Sequence, residues 1–429
     1  MRKSNQRVVK LAAVLLVSFL SSSAEAAPKA DSMKGMSDMP GMSMSSMAHM
    51  KHGTGGACTA AELKCASTVT PFLAADGTLW LAFDVDNQVY VSHSADLGKS
   101  FSSAVAVTPG KVHLDTGPDA RASLVVDGKG RVFVAYAIFK DEKFNAEVFF
   151  SRSLDGGKSF STPRPLVPES TASQRFAALA VSPSGKLFAT WLDKRGVEAA
   201  AKQGKTYPGA AVAYSWSKDG GAGFSPSRIA HDNSCECCRI GVSFSGSDQP
   251  VVVFRNVFPG MIRDHAMLSF KDADTPGPLE RVAVDDWHLN GCPHHGPSLS
   301  IANTGTYHVV WFTQGTAHKG LFYARSTDKG VHFSQAMALG NSDHDLTRPY
   351  VTSVPGMAVI VWKEFDGETA AVNMRVSHDD GATWSKPRLV AKTDDASDHP
   401  LLVNDGRTIY LSWMTKTGGY QLTPIKDTP

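Results

Sequence analysis

The sequence predicts an all-β fold made of repeated antiparallel sheets, and three observations carry this prediction. A short turn motif recurs five times, pairs of strands recur at nearly regular spacing, and the 429 residues include 37 Gly and 23 Pro. Tight turns favour glycine and proline, so we expect many short strands joined by turns. Lys and Arg total 43 against 41 Asp and Glu, a balance that does not favour nucleic acid as a partner.

The turn motif reads Ser-x-Asp-x-Gly-x-x-aromatic. Its five copies occupy residues 94–101, 153–160, 217–224, 326–333 and 377–384. Ser and Asp side chains can bond the amides of their own turn, Gly accepts a positive φ, and the aromatic ring can fold back onto a sheet. An alternating apolar strand precedes each copy. We call these five segments the turn boxes and expect each one to join two antiparallel strands.

The turn boxes resemble the Asp-box (BNR) repeats of the sialidase superfamily, and the resemblance covers roughly residues 68–426. It implies a β-propeller. It does not by itself imply sialidase chemistry, because one fold hosts many functions.

The blade count comes from the strand pairs. Seven inner hairpins fall at residues 70–83, 121–136, 176–191, 241–255, 296–312, 348–363 and 399–413. Their spacing is typical of propeller blades, so we predict seven blades of four antiparallel strands. In blade four the box has decayed to residues 269–272, and the last unit has room for only three strands. The segment before Thr70 is expected to supply the missing outer strand. Sialidases have six blades, so a six-bladed ring is the alternative.

The amino terminus predicts export. Four basic residues in the first ten precede the apolar run 11–20, and Ala24-Glu25-Ala26 is a small-x-small cleavage site. We interpret residues 1–26 as a secretory signal peptide of bacterial type, which indicates a periplasmic or secreted protein. No other stretch is long and apolar enough to span a membrane, and the compartment permits disulfides.

Residues 27–57 are expected to be a disordered Met/His-rich segment. Its soft or imidazole donors are Met33, Met36, Met39, Met42, Met44, His49, Met47, Met50 and His52. Thioethers on a flexible chain suit Cu(I), and the segment is similar to Met-rich segments of bacterial copper-resistance proteins. A low-complexity spacer is the alternative. The propeller then occupies residues 58–429 and begins with Cys58 and Cys65, which we expect to form a local disulfide.

Two predicted blade-to-blade connections contain the other four cysteines. Residues 231–239 lead into blade four and contain Cys235, Cys237 and Cys238; residues 286–295 lead into blade five and contain Cys292. Because blades four and five are neighbours, both connections should enter the same side of the ring. We therefore expect the four thiols to converge, together with His294 and His295.

Three interpretations of this cluster stay open. In the first, the thiolates with His294 or His295 bind a soft ion, with Cu(I) as the leading candidate. In the second, the cysteines form structural disulfides, for instance from Cys292 to Cys237 or Cys238. In the third, the cysteines and histidines hold zinc in a closed site. A bridge between adjacent Cys237 and Cys238 is strained, which argues against complete pairing.

Arginines gather on the same predicted face. Arg121, Arg175, Arg239, Arg348 and Arg263 are candidates for binding an anion or a partner, and ion pairing around the mouth of the propeller is the alternative. By its resemblance the chain should also offer a tyrosine–glutamate pair, for which Tyr350 and Glu364 are the candidates. The Phe-Arg-Ile-Pro segment that sialidases place before their first box is absent from the sequence.

The leading hypothesis is an exported, non-catalytic propeller that binds copper for storage, delivery or tolerance, with a periplasmic metal acceptor as partner. A sialidase-type glycoside hydrolase is the second hypothesis. An adhesion or partner-binding propeller with structural disulfides is the third.

Overall fold

The structure is a computed structural model that describes residues 58, 60–168, 170–207 and 209–426. The predicted signal peptide and the Met/His-rich segment lie outside these described residues. The described chain forms seven antiparallel sheets in sequence order, which confirms the predicted all-β propeller of seven blades.

The strands of blades one to four pair in chain order, except at the start of blade two. They are β1 (Val69–Leu73), β2 (Leu79–Val85), β3 (Gln88–Ser94) and β4 (Val105–Ala106); β5 (Leu114–Asp115), β6 (Ser123–Val126), β7 (Val132–Phe139), β8 (Ala146–Ser153) and β9 (Arg164–Pro165); β10 (Gln174–Val181), β11 (Leu187–Asp193), β12 (Ala210–Ser217) and β13 (Arg228–Ser234); β14 (Gly241–Phe244), β15 (Pro250–Arg255), β16 (His265–Ser269) and β17 (Leu279–Arg281). In blade two, β5 and β6 both pair with β7.

Blades five to seven continue the same pattern. Their strands are β18 (Ser298–Ile301), β19 (Tyr307–Gln314), β20 (Lys319–Ser326) and β21 (Met337–Leu339); β22 (Asp345–Val354), β23 (Met357–Phe365), β24 (Ala370–Ser377) and β25 (Arg388–Thr393); β26 (Leu401–Asn404), β27 (Ile409–Thr415) and β28 (Gly419–Pro424).

The turn boxes share one hydrogen-bonding pattern. In blade two the Ser153 hydroxyl accepts from the Gly157 amide at 2.8 Å and donates to the Asp155 carboxylate at 2.7 Å. The Ser159 amide donates to the same carboxylate at 3.0 Å. The equivalent bonds recur in the other four boxes. Gly157 has a φ of 82°, and a Cβ there would lie 2.6 Å from the Trp80 ring, so the box packs closely on blade one.

The core lies between blades rather than within them. Seven apolar clusters each combine side chains of two neighbouring blades. One joins Trp311 of β19 to Val253 of β15. Another joins Leu79 of β2 to Met414 of β27, which closes the ring between blades one and seven. Sheets with two apolar faces require this arrangement, since each blade must be covered on both sides.

The last blade differs from the expectation. Among the described residues it has three strands, and the segment before Thr70 adds no fourth strand. A single 3-10 turn at Leu63–Cys65 lies there instead, and Leu63 belongs to the same apolar cluster as Tyr420 and Leu422 of β28. The disulfide between Cys58 and Cys65 holds this segment in a short loop, which does not present an extended edge to β28.

Among the described residues, one α-helix interrupts the all-β pattern. Helix α1 (Arg195–Lys202) lies between β11 and β12, in the loop that links the second and third strands of blade three. The Asp193 carboxylate at the end of β11 accepts from the Arg195 amide at 2.9 Å, so the strand end positions the start of the helix.

Candidate functional site

The two cysteine-bearing connections meet beside a loop of blade four. The chain after β13 turns inward, where the Cys235 amide donates to the Arg255 carbonyl at 2.8 Å. The loop between β15 and β16 then reaches the second connection, where the Arg263 amide donates to the Trp287 carbonyl at 2.8 Å. The end of β15 and the loop that follows it therefore hydrogen-bond to both connections.

Three sulfur atoms of the first connection form a compact triangle. The Cys235 sulfur lies 3.6 Å from that of Cys237 and 3.8 Å from that of Cys238. The three side chains are 1–2% exposed. For comparison, a metal–thiolate bond is about 2.3 Å, so neighbouring sulfurs of a tetrahedral ion lie about 3.8 Å apart. The triangle has the size of a metal–thiolate ligand set.

A second set of donors shares one of these sulfurs. The ligand atoms of Cys237, Cys292 and His294 all lie within 4.8 Å of one another. His294 reaches this position with a φ of 50°, and its carbonyl accepts a bond from the Arg348 guanidinium at 2.5 Å. The structure thus brings together five of the six residues that the sequence predicts for the cluster.

The sixth residue, His295, lies elsewhere. Its ring stacks on Phe312 with the centroids 4.2 Å apart, and it belongs to neither donor set among the described residues. Burial lowers the pKa of His295 well below its usual value, so the ring is neutral. It borders a separate cavity that is described below.

Arginine charge surrounds the sulfurs. The Arg263 guanidinium donates to the Cys235 sulfur at 3.0 Å and to the Leu289 carbonyl at 2.8 Å. Arg255 is fully buried, stacks over Trp287 at 4.6 Å, and donates to the carbonyls of Arg263, His295 and Phe312. Neither guanidinium has a carboxylate partner among the described residues, so thiolate charge is what can balance them.

The four thiols differ in acidity. Hydrogen bonds from Cys237 and Cys238, helped by the Arg263 charge, lower the pKa of Cys235 well below its usual value. A hydrogen bond from Cys237 lowers the pKa of Cys292. Burial raises the pKa of both Cys237 and Cys238. Cys235 and Cys292 therefore lose their protons more readily than the other two cysteines, and the thiolate is the form that binds metals.

The other predicted arginines meet carboxylates. Arg239 and Arg348 both bond one oxygen of buried Asp119, at 3.0 and 2.6 Å, and the second oxygen accepts from the Gly296 amide at 2.8 Å. We call these four residues the Asp119 network. Arg121 pairs with Asp398 at 2.7 Å.

Arg175 is likewise paired with a carboxylate, because it donates two hydrogen bonds of 2.6 and 2.8 Å to Asp115. The structure thus places these four arginines in ion pairs with three of the chain's own carboxylates, and their binding of an external anion stays a prediction. Arg263 differs again, since its partner is a thiol. Asp119 had no distinguishing signal in the sequence, and its arginine partners lie 120 and 229 residues away.

The candidate residues for sialidase chemistry have other contacts. Glu364 accepts from the Trp362 indole at 2.6 Å and from the His344 ring at 3.0 Å. Burial raises the pKa of Tyr350, which keeps its phenol neutral. In the described part of the chain the Glu364 oxygens therefore face Trp362, His344 and the Asn341 amide rather than a tyrosine hydroxyl.

A cavity of about 480 Å³ opens between blades five, six and seven. Its lining includes His295, Lys363 and His399 together with Asp343 and Asp345. Lys363 donates to the Ser397 carbonyl at 3.0 Å, and burial lowers its pKa to about 8. Sequence reasoning missed Lys363, because a lysine within an apolar strand has no motif around it.

Within the described residues no helix has the length and apolarity needed to cross a membrane.

The comparisons with known proteins bear on the fold alone. No protein-family model matches the chain, and no curated protein matches it. Among solved structures, a polysaccharide lyase, PL25 ulvan lyase, has a TM-score of 0.52 at 11% identity over 82% of this chain and 92% of its own. The Hadza microbial sialidase Hz136 has a TM-score of 0.48 at 12% identity, covering 81% and 76%. A leech intramolecular trans-sialidase has a TM-score of 0.46 at 10% identity, covering 83% and 84%.

The fold and its neighbours define a class of protein. The chain is a β-propeller of seven blades, a fold that it shares with the ulvan lyase structure. At these identities the likeness concerns the fold, and the site has to be interpreted from its own residues.

Proposed function

We propose that this chain is an exported β-propeller that binds copper as Cu(I) at its thiol cluster and serves copper storage, delivery or tolerance. One observation carries the proposal: four cysteines and a histidine from two distant connections place their donor atoms in two sets, each within 4.8 Å. Buried thiols that only filled space would not need to converge with an imidazole and two arginines.

The donor chemistry favours a soft ion. Thiolates select Cu(I), zinc and iron–sulfur clusters, whereas carboxylates and carbonyls suit harder ions. Zinc in a structural site takes four ligands in a closed tetrahedron. Here each donor set contains three atoms, a number that suits a soft ion of low coordination number better than a closed zinc site. Zinc is the second choice of metal.

The balance of charge supports thiolate ligands at this depth. A buried unpaired cation is costly, and Arg255 and Arg263 would each be one without nearby negative charge. Because the Arg263 guanidinium lies 3.0 Å from the Cys235 sulfur, it stabilises the thiolate there. The arginines thus prepare the cluster for a metal before the metal arrives.

Two parts of the proposal rest on the sequence. Export rests on the predicted signal peptide at 1–26, and copper capture by the Met/His-rich segment rests on its composition. Deleting residues 31–52 should leave the thermal midpoint nearly unchanged and lower the number of Cu(I) ions bound per chain. A midpoint many degrees lower would show that the segment packs on the propeller.

The test of the central claim is an anaerobic Cu(I) titration of reduced protein against a chromophoric Cu(I) chelator. The full chain should withdraw copper from the chelator. Cys237→Ser should bind fewer Cu(I) ions per chain, and the difference should equal the number of ions bound at the cluster. The exposed His288 lies in the same connection as Cys292 but outside both donor sets, so His288→Ala is a matched control that should behave like the natural chain. Equal copper binding by the natural chain and Cys237→Ser would refute the proposal.

A thiol count separates copper binding from structural disulfides. Protein isolated from cells grown with copper should present four thiols outside the Cys58–Cys65 bridge after the metal is removed under anaerobic acid. Four sulfurs that are all disulfide-bonded at that point would favour the structural interpretation instead.

A further inference from the structure

We propose that the thiol cluster holds two Cu(I) ions that share the Cys237 sulfur. This inference rests on the proposed function and specifies the metal centre of that same site. One ion lies among Cys235, Cys237 and Cys238, and the other among Cys237, Cys292 and His294.

The first step is geometric. Within the part of the chain that the structure describes, the donors form two sets of three whose only common member is Cys237, and they do not merge into one set of five within 4.8 Å. Two sulfurs on one ion are at most about 4.6 Å apart, twice a metal–thiolate bond of about 2.3 Å. One ion therefore cannot reach all five donors, whereas two ions can use every donor.

The second step concerns the shared sulfur. Cys237 contacts the Cys235 sulfur at 3.6 Å in one set and lies in the other set with Cys292 and His294. A thiolate sulfur has more than one lone pair, so it can bridge two ions. Its position between the sets gives it this role, while each of the other donors serves one ion.

The third step is the charge count. Four ligating thiolates bring four negative charges, and Arg255 and Arg263 supply two positive charges without a carboxylate partner among the described residues. Two Cu(I) ions supply the other two, so the charges of the four thiolates, the two arginines and the two ions sum to zero. A single Zn²⁺ would also balance the charge, but it would leave at least one donor unused for the geometric reason above.

The fourth step is access. Cys235, Cys237 and Cys238 are buried, whereas Cys292 and His294 are partly exposed. The second set is therefore the outer one, and the first set is the inner one. An ion entering from solvent meets Cys292 and His294 before it reaches the three-sulfur set.

The experiment compares copper lost by single variants of the full chain, titrated anaerobically with Cu(I) against a chromophoric chelator. Relative to the natural chain, Cys237→Ser should lose two ions, and Cys238→Ser and His294→Ala should lose one each. His288→Ala lies in the same connection as His294 but is exposed and outside both sets, so it should lose none. Circular dichroism checks that each variant is folded.

A second measurement does not depend on any variant. X-ray absorption at the copper edge of the loaded natural chain should show a copper–copper distance in addition to sulfur and nitrogen neighbours. The signal should disappear in His294→Ala, which keeps the inner set.

The outcomes separate this inference from the proposed function. If Cys237→Ser loses one ion, or His294→Ala loses none, the centre is mononuclear and the inference is wrong while copper binding stands. If Cys237→Ser loses none, the proposed function fails as well. Loss of two ions in Cys237→Ser with a copper–copper distance in the natural chain supports both.

Discussion

The Asp119 network and the thiol cluster both place arginines around buried acidic groups, but they differ in what those groups are. In the network, two guanidinium groups and one amide satisfy the two oxygens of a single carboxylate. In the cluster, one guanidinium donates to one of four sulfurs that lie close together. The first arrangement is complete with the chain's own atoms. The second contains sulfur atoms that receive no hydrogen bond from the guanidinium and could bind a metal. This difference separates a structural ion pair from a candidate metal site.

The largest expected effect comes from breaking the complete arrangement. Asp119→Asn removes the negative charge between Arg239 and Arg348, and removing one partner of a buried ion pair costs about 3–5 kcal/mol. We expect a large drop in the midpoint of urea denaturation. The control is Asp274→Asn, whose partner Arg228 is exposed and whose loss should cost under about 1 kcal/mol. Equal shifts in the two variants would show that the Asp119 network contributes little.

The thiol cluster should show the opposite behaviour. Without copper, Cys237→Ser changes one sulfur to oxygen and should shift the midpoint only slightly. With Cu(I) at about 100 times its dissociation constant, the natural chain should gain about 2.7 kcal/mol in the free energy of unfolding. Cys237→Ser should gain much less. Thermal denaturation with and without Cu(I) measures both, and an equal gain in the two proteins would contradict the assignment.

Lys363 is a buried cation that has no carboxylate partner among the described residues. Its substitution tests whether such a cation lowers the stability of the fold. Burial lowers its pKa to about 8, whereas an unfolded lysine titrates near 10.4. The unfolded state therefore binds more protons between these values, and the Lys363 contribution to stability rises with pH across that window. Lys363→Met should be more stable than the natural chain at pH 7, by about 2 kcal/mol at most because solvent in the cavity screens the charge. The difference should shrink by pH 10. A constant difference across the window would contradict the buried, charged lysine.

The smallest effect should come from Arg263→Met. The pKa of Cys235 is lowered by its bonds with Cys237 and Cys238 and further by Arg263, so losing the guanidinium raises that pKa. Protons then compete better with metal, and the pH of half-maximal Cu(I) loading moves upward. We expect about tenfold weaker binding at pH 6, or about 1.4 kcal/mol, and a smaller loss at pH 9. Exposed Arg228→Met is the control. A loss of affinity that is the same at every pH would indicate a purely structural role for Arg263.

The sequence predicts features that depend on neighbours along the chain. The turn boxes could be recognised because Ser153, Asp155 and Gly157 bond one another within five residues. Convergence of the cysteines could be predicted because successive connections of a propeller enter the same side. The arginine partners of Asp119 could not be predicted, because they depend on how blades two, four and six meet at the centre of the ring. Arg263 was expected to bind an anion, and its choice of Cys235 depends on the path of one loop in blade four.

The sequence of helix α1 contains a local signal for a helix. Its eight residues include three consecutive alanines and a glutamate, which favour a helix even inside an all-β chain. The missing strand of blade seven is a different case. The segment before Thr70 contains a 3-10 turn and a local disulfide, and its sequence does not distinguish this conformation from a strand.

The ring has one joint unlike the others, where the last blade returns to the first. Chain continuity links every other pair of neighbouring blades, but this joint depends on the cluster of Leu79 and Met414 and on Asp398, which accepts from the Val69 amide at 3.0 Å and pairs with Arg121. A pulling force applied to the two ends of the propeller would therefore load this seam first. Blade one would separate from blade seven before the strands of any single sheet separate. A covalent bond across this joint would prevent that separation.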